Sequence, residues 1–257
     1  MLSKSKISLI KSLKIKKFRE DLQLFTAEGS KLVLDLLQSS YEVKEIFAAG
    51  SWLSEHQRFL SEPVIANEIS DEEMSRITLL TTASPVLALV EIPKPTFTMQ
   101  DIGVRLTLVL DAIRDPGNLG TILRIADWFG IETVICSETT VDLYNPKVIQ
   151  ASMGSIARVR VAYSDLEVFF AKVPDSIPVY GTFLDGRNIY QAELDNRGIL
   201  IVGNEADGIS SEVEKFVTEK IFIPPYSSSG RSVGKAESLN VSVATAIVCS
   251  EFRRSIQ

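Results

Sequence analysis

Leu106-Thr107-Leu108-Val109-Leu110-Asp111-Ala112-Ile113-Arg114-Asp115-Pro116-Gly117-Asn118-Leu119-Gly120-Thr121-Ile122-Leu123-Arg124 is an apolar run that breaks into a polar, glycine-bearing turn and then resumes at helical spacing. Leu106 to Leu110 has the near-continuous apolar character of a strand buried on both faces. Thr121 to Phe129 predicts a helix stopped by Gly130, and Ile131 to Cys136 predicts the next strand. This is a βαβ unit, and it sets the class of everything that follows.

Working outward, strands are expected at Ala157 to Val161, Val179 to Leu184, Ile199 to Gly203 and Ile221 to Pro224. Helices are expected at Pro146 to Met153, Ser164 to Lys172, Ser210 to Phe216 and Ser238 to Phe252. An α/β fold with a mostly parallel, doubly covered sheet follows. Toward the N-terminus, strands at Leu22 to Ala27, Val43 to Ala48, Val64 to Ile69 and Val86 to Ile92 alternate with helices at Ser30 to Leu37 and Trp52 to Leu60. Ser70 and Glu73 fit a capping box that starts one more short helix. The front half therefore reads as a small α/β/α layer domain over residues 1–93. Pro93-Lys94-Pro95 disfavours both helix and central strand and opens a linker over 94–103, leaving 104–257 as the second domain.

Bulk properties exclude several function classes. The 257 residues are 45% hydrophobic and 23% charged, with no apolar run long enough to span a bilayer. The start, Met1-Leu2-Ser3-Lys4-Ser5-Lys6, lacks the apolar stretch of a secretory signal, so a cytoplasmic protein is expected. Cys136 and Cys249 make no disulfide framework and have no partner at metal-ligand spacing; no metal site is expected. His56, the single histidine, sits in a polar helix-like stretch and reads as a surface residue. Triads built on histidine are thereby set aside.

The net charge of −6 argues against bulk attraction to nucleic acid, but it is unevenly spread. Residues 1–20 carry six lysines and Arg19 against Glu20 alone, +6 net, leaving −12 for the rest. Lys14, Lys16, Lys17 and Arg19 are candidates to lie along phosphates. An amphipathic helix with Ile7, Ile10, Leu13 and Phe18 facing inward is compatible with the same pattern.

In an open parallel sheet, ligands bind beyond the carboxyl ends of the strands, so the loops leaving each strand are the places to search. The first, Asp111 to Arg124, offers two glycines for a tight turn, the amide of Asn118, and Arg124 on the following helix. It has neither G-x-G-x-x-G nor the Walker spacing, and taken alone it reads as a plain β-to-α turn. The second, Val202-Gly203-Asn204-Glu205-Ala206-Asp207-Gly208-Ile209-Ser210, brackets a carboxylate pair between glycines. The third runs from Ile223-Pro224-Pro225-Tyr226 to Ala236-Glu237-Ser238-Leu239-Asn240-Val241, where Ser238 and Asn240 open an otherwise apolar helix.

Taken in order, Asp-Pro-Gly-Asn-Leu-Gly with Arg124, Gly-Asn-Glu with Gly208, and Ile-Pro with Glu-Ser-Leu-Asn-Val closely resemble the three motifs of the SpoU (TrmH-like) family of SPOUT methyltransferases. Phe25-Thr26-Ala27-Glu28-Gly29-Ser30-Lys31-Leu32-Val33 resembles the opening of that family's substrate-binding domain, itself similar to ribosomal RNA-binding proteins. The resemblance implies a deep trefoil knot in the C-terminal domain, S-adenosylmethionine (AdoMet) as cofactor, RNA as substrate and a homodimer with the site near the interface. It places Gly203, Glu205, Gly208, Ile223, Pro224, Ser238 and Leu239 around the cofactor. Asn118, Arg124, Glu205, Ser238 and Asn240 become the set that contacts a ribose 2′-hydroxyl.

Arg124 is left as general base, phosphate partner or alkoxide stabiliser, acting in its own subunit or across the interface. A guanidinium effectively never deprotonates, which weighs against the first role. The sequence departs from the family pattern by the insertion of Tyr226 to Ala236, whose Arg231 and Lys235 are further candidates to meet RNA. By analogy of the front domain, ribosomal RNA is expected in preference to transfer RNA. A transfer-RNA 2′-O-methyltransferase and an inactive RNA binder of the same fold are the alternatives.

Overall fold

The structure, a computed structural model, describes residues 1–60, 63–94, 98–225 and 238–254. Contacts divide the chain into two compact units, Met1–Lys94 with Asp142–Arg158, and Pro95–Val141 with Val159–Gln257.

The first unit begins with α1 (Lys4–Ser12) and α2 (Lys16–Leu22). Then follow β1 (Leu24–Glu28), α3 (Ser30–Leu37), β2 (Val43–Ala48), α4 (Gly50–Glu55), β3 (Ile65–Glu68), α5 (Asp71–Ile77) and β4 (Val86–Glu91). The sheet order is β1-β4-β2-β3, with only the β2/β3 pair parallel. Ile10 and Leu13 join Phe47, Met74, Ile77, Leu87 and Leu89 in one core cluster. Phe18, expected inside, is 41% exposed, because the chain breaks after Ser12 and restarts as a second helix whose buried residue is Arg19. The capping box forms as read: Ser70 accepts from the Glu73 amide, and the Glu73 carboxylate accepts from the Ser70 amide. His56 stacks on Trp52 with ring centroids 4.5 Å apart, and its Nδ1 lies 2.9 Å from the Trp52 carbonyl.

Glu28 ends β1 almost wholly buried, accepting from the Thr78 hydroxyl at 2.5 Å and the Leu79 amide at 2.7 Å. Burial raises its pKa above the ordinary carboxylate value, opposed by those two donors and by Lys11. A raised folded-state pKa means that Glu28 contributes stability at acid pH that is lost as pH rises through that value. Denaturation of wild type and Glu28→Gln across about pH 4 to 7 is expected to shift the balance toward Gln as pH rises; a difference that moves the other way overturns the assignment.

The second unit contains β5 (Leu106–Leu110), α6 (Pro116–Trp128) and β6 (Thr133–Ser137). The chain then contributes α7 (Pro146–Ser152) to the first unit before returning as β7 (Arg160–Ser164) and α8 (Leu166–Phe170). The unit closes with β8 (Val179–Asn188), β9 (Gly198–Val202), α9 (Ser211–Glu214), β10 (Glu219–Phe222) and α10 (Val241–Arg254). All six strands are parallel, in the order β10-β8-β9-β5-β6-β7. From β5 the chain moves outward through β6 and β7, then crosses back to build β8, β9 and β10 on the other side. The strand order thus reverses between β5 and β9, and a crevice opens there at the carboxyl ends.

Several elements differ in their bounds from the sequence reading, among them β8, which runs on to Asn188. The first helix begins at Pro116, five residues before Thr121, because the Asp115 side chain accepts from the Asn118 amide and Pro116 takes the first helical position. Gly117 and Gly120 therefore lie inside the helix and make no turn. The strand expected from Ala157 starts at Arg160, since Met153 and Gly154 both adopt positive φ and a 3₁₀ turn at Ser155–Ala157 intervenes. The last helix starts at Val241, so Ser238 precedes it. Among the described residues, no helix is long and apolar enough to cross a membrane.

Candidate active site

Register decides which loops meet. Leu110 of β5 pairs with Val202 of β9, so the turns that begin at Asp111 and Gly203 leave the sheet side by side. Asn118 sits in the first turn of α6, and Glu205 lies near the tip of the second loop. The Asn118 Nδ2 donates to the Glu205 carboxylate. From the third loop, the Asn240 Nδ2 donates to the Asn118 Oδ1 at 3.0 Å. One amide thus joins residues 87 and 122 positions away.

Each member is held by its own backbone context. Asn240 caps α10: its Oδ1 accepts from the Ser242 amide at 3.0 Å, the Ser242 hydroxyl at 2.6 Å and the Val243 amide at 3.3 Å. Its Nδ2 is thereby left to face Asn118. The Glu205 loop is closed by paired backbone bonds between Asn204 and Gly208, both 2.9 Å. A Cβ on Gly203 would stand 2.2 Å from the Gly208 carbonyl carbon, and Gly208 itself has φ +72°, so both positions demand glycine.

The remaining residues named from sequence are placed less tightly. Arg124 is exposed on α6 and has no hydrogen-bond or ion-pair partner among the described residues. Six residues beyond Asn118, it is rotated by about 240° around the helix and does not join the Asn118 cluster. Ser238 and Leu239 are exposed, while Ile223 and Pro224 are half-buried. Arg231, Lys235 and the insertion Tyr226 to Ala236 lie outside the described residues.

Lys14, Lys16 and Lys17 are exposed, Lys16 lying 3.6 Å from Glu20. Arg19 corrects the sequence reading. It is 2% exposed, donates to the Leu13 carbonyl at 2.7 Å and pairs with Asp142, so it cannot reach a phosphate.

Sequence reasoning passed over Asp111, Asn204 and Ser210, which tie the first two loops together. Asp111 was legible as a carboxylate at a strand end, and Asn204 as the residue before Glu205. Two of the clefts formed by described residues of this unit bear on where a ligand could sit. The larger, about 260 Å³, is at the amino ends of the strands between the Arg105–Glu132 and Arg160–Asp101 pairs, away from every loop described above. The smaller, about 160 Å³, is at the carboxyl ends and shares Asp111 and Ser210 with the loop cluster. Its other walls come from the ends of β6 and β7 and from α9, and none of Asn118, Glu205 and Asn240 lines it. Among the described residues, no group of three or more His, Cys, Asp or Glu side chains could hold a metal ion.

An open parallel sheet with polar side chains gathered at its switch point is the build of an enzyme that holds a nucleotide-like ligand. The chain belongs to the SpoU rRNA methylase family, whose profile matches residues 105–250. Residues 4–88 match an MRM3-like substrate binding domain. The 23S rRNA (guanosine(2553)-2′-O)-methyltransferase RlmP of Bacillus subtilis (strain 168) is 31% identical over 245 residues, spanning 95% of this chain and 94% of that protein. A TrmH-family structure from Porphyromonas gingivalis is 38% identical with a TM-score of 0.88, covering 99% of both chains. An AdoMet-bound rRNA methyltransferase from Sinorhizobium meliloti is 27% identical with a TM-score of 0.87, covering 100% of this chain and 97% of that one.

Proposed function

We propose that the protein transfers a methyl group from AdoMet to a ribose 2′-hydroxyl of ribosomal RNA. The observation that carries this reading is the Glu205–Asn118–Asn240 chain of hydrogen bonds at the switch point. The residues present fit the cofactor. Glu205 offers an exposed carboxylate to a cationic sulfonium, Ile223, Pro224 and Leu239 offer apolar contact to a base, and Gly208 is exposed with no side chain to stand over the loop. Ser238 stands beside them. When bound, AdoMet would supply an electrophilic methyl group, its S–CH₃ bond breaking so that the electron pair returns to sulfur and a neutral thioether leaves.

The chain's own residues have two tasks. The first is to hold a weakly nucleophilic hydroxyl in line, which can supply about 7 to 11 kcal/mol of the barrier. Asn118 suits it, since an amide can both donate to and accept from a sugar hydroxyl. The second is to receive the hydroxyl proton as the C–O bond forms. Glu205 uses one oxygen on Asn118 and keeps another to accept that proton directly or through water.

Arg124 points away from this cluster within its own subunit, which supports a role across a homodimer, on an RNA phosphate or on developing alkoxide charge. The 84% exposed Trp128, one turn further along α6, is a residue that such an interface would cover. The trefoil knot belongs to this reading too; residues 226–237 lie outside the described residues.

The direct test is incubation of the purified protein with AdoMet and ribosomal RNA, followed by mapping of 2′-O-methyl sites. No new site on RNA from cells lacking the gene would sink the reading. Arg124→Ala is expected to lower methyl transfer by at least about 100-fold while leaving the dimer intact by light scattering. Lys14→Ala, Lys16→Ala and Lys17→Ala combined are expected to reduce the slope of log K against log salt by about 0.7 to 0.9 for each lysine that meets a phosphate. An unchanged slope would make these lysines plain surface.

A further inference from the structure

Glu205 and Asn118 meet at an exposed position, where a single hydrogen bond holds little by itself. Something behind them must fix their separation. The loop that carries Glu205 is tied at both of its legs to two consecutive residues of the loop that leads to Asn118. On one leg, the Asn204 Nδ2 donates to the Ala112 carbonyl at 2.8 Å. On the other, Asp111, 5% exposed, accepts from both the amide and the hydroxyl of Ser210 at 2.8 and 2.7 Å.

The anchoring residues are themselves pinned. The Asp111 amide donates to the Val202 carbonyl at 2.9 Å, extending the β5–β9 ladder by one rung. Ala112 holds φ at +57°, a strained value for alanine, and its amide donates to the Ser137 hydroxyl at 2.8 Å. Asn204 also closes its own turn, its Oδ1 accepting from the Ala206 amide at 2.8 Å. One side chain therefore shapes the turn with its oxygen and anchors it with its nitrogen.

We propose that Asn204 and Asp111 are positioning residues for methyl transfer, setting where the Glu205 carboxylate stands relative to Asn118. The inference rests on the methyltransferase reading. Neither residue touches the reacting atoms; each acts through the loop between them. A displacement of about 1 Å at such a site can cost about 100-fold in rate.

Asn204→Asp keeps the oxygen that closes the turn but replaces the donor to Ala112 by a carboxylate oxygen that repels that carbonyl, so the anchor is broken and the turn is kept. In the full-length protein it is expected to lower kcat about 100-fold, with the KM for AdoMet within about threefold of wild type. Combined with Asn118→Ala it should lower kcat by clearly less than the product of the two single losses, since both disturb one arrangement. Without cofactor or RNA, Asn204→Ala is expected to speed hydrogen exchange at the Ala206 and Asp207 amides, leaving β5 and β9 protected. Ser210→Ala, which keeps the amide bond to Asp111, should show a smaller kcat loss of about tenfold. Wild-type kcat in Asn204→Asp, or losses that multiply with Asn118→Ala, would overturn the proposal while the enzyme reading stands. A wild-type protein inactive on ribosomal RNA would remove both.

Discussion

Asn118→Ala will leave the protein folded and lower kcat for RNA methylation by roughly 100- to 1,000-fold, the loss associated with removing one preorganised polar group from a reacting centre. The amide is the middle link between Glu205 and Asn240, and its two hydrogen bonds come from different strand-end loops. Both partners are exposed, so water replaces the lost amide and the folding cost stays small. What water does not replace is orientation. Asn118→Asp should be at least as damaging at neutral pH, since it sets a second carboxylate against Glu205. The measurement is single-turnover methylation at saturating AdoMet and RNA, with a thermal melt of each variant alongside. A kcat within about threefold of wild type would remove Asn118 from the site.

How far the site could be read from sequence depended on whether its signal was local. The parallel sheet was legible because Leu106 to Leu110 and Ile199 to Val202 are apolar on both faces, a pattern that only burial in a covered sheet explains. The capping box at Ser70 was legible because its partners are three residues apart. The start of α6 was not, since Gly117 and Gly120 suppress the helical pattern and the deciding contact is the Asp115 cap. Asn118, Glu205 and Asn240 were named from motif resemblance, but no spacing states that one amide bridges the other two. The pairing of Asp111 with Ser210 spans 99 positions and has no sequence signal of its own. Arg19 was misread for the same reason. In a run of lysines it looks like one more surface cation, and its partner lies 123 positions away.

That partner makes Arg19 a residue whose loss should cost the first unit much of its stability. Asp142–Arg158 packs with Met1–Lys94, and the Arg19–Asp142 ion pair bonds the start of that returning segment to α2. α7 lies against β1, and Tyr144 packs its ring on Phe25 at 4.9 Å between centroids. Arg19 is 3% exposed in its side chain and Asp142 is 18% exposed, so removing the guanidinium leaves a mostly buried carboxylate and an unmet Leu13 carbonyl. Arg19→Ala is therefore expected to destabilise the protein by about 3 kcal/mol, the low end for breaking a buried pair because Asp142 keeps some access to water. The intact pair contributes less than that figure, since both charges were desolvated to form it and the Arg19 Nε has no partner among the described residues. Arg19→Met with Asp142→Leu should accordingly recover most of the loss, and a double-mutant cycle in urea would measure the coupling. A change within about 0.5 kcal/mol for Arg19→Ala would mean that α2 and the returning segment are held by apolar packing alone, and Arg19 would again be free to be read as a surface cation.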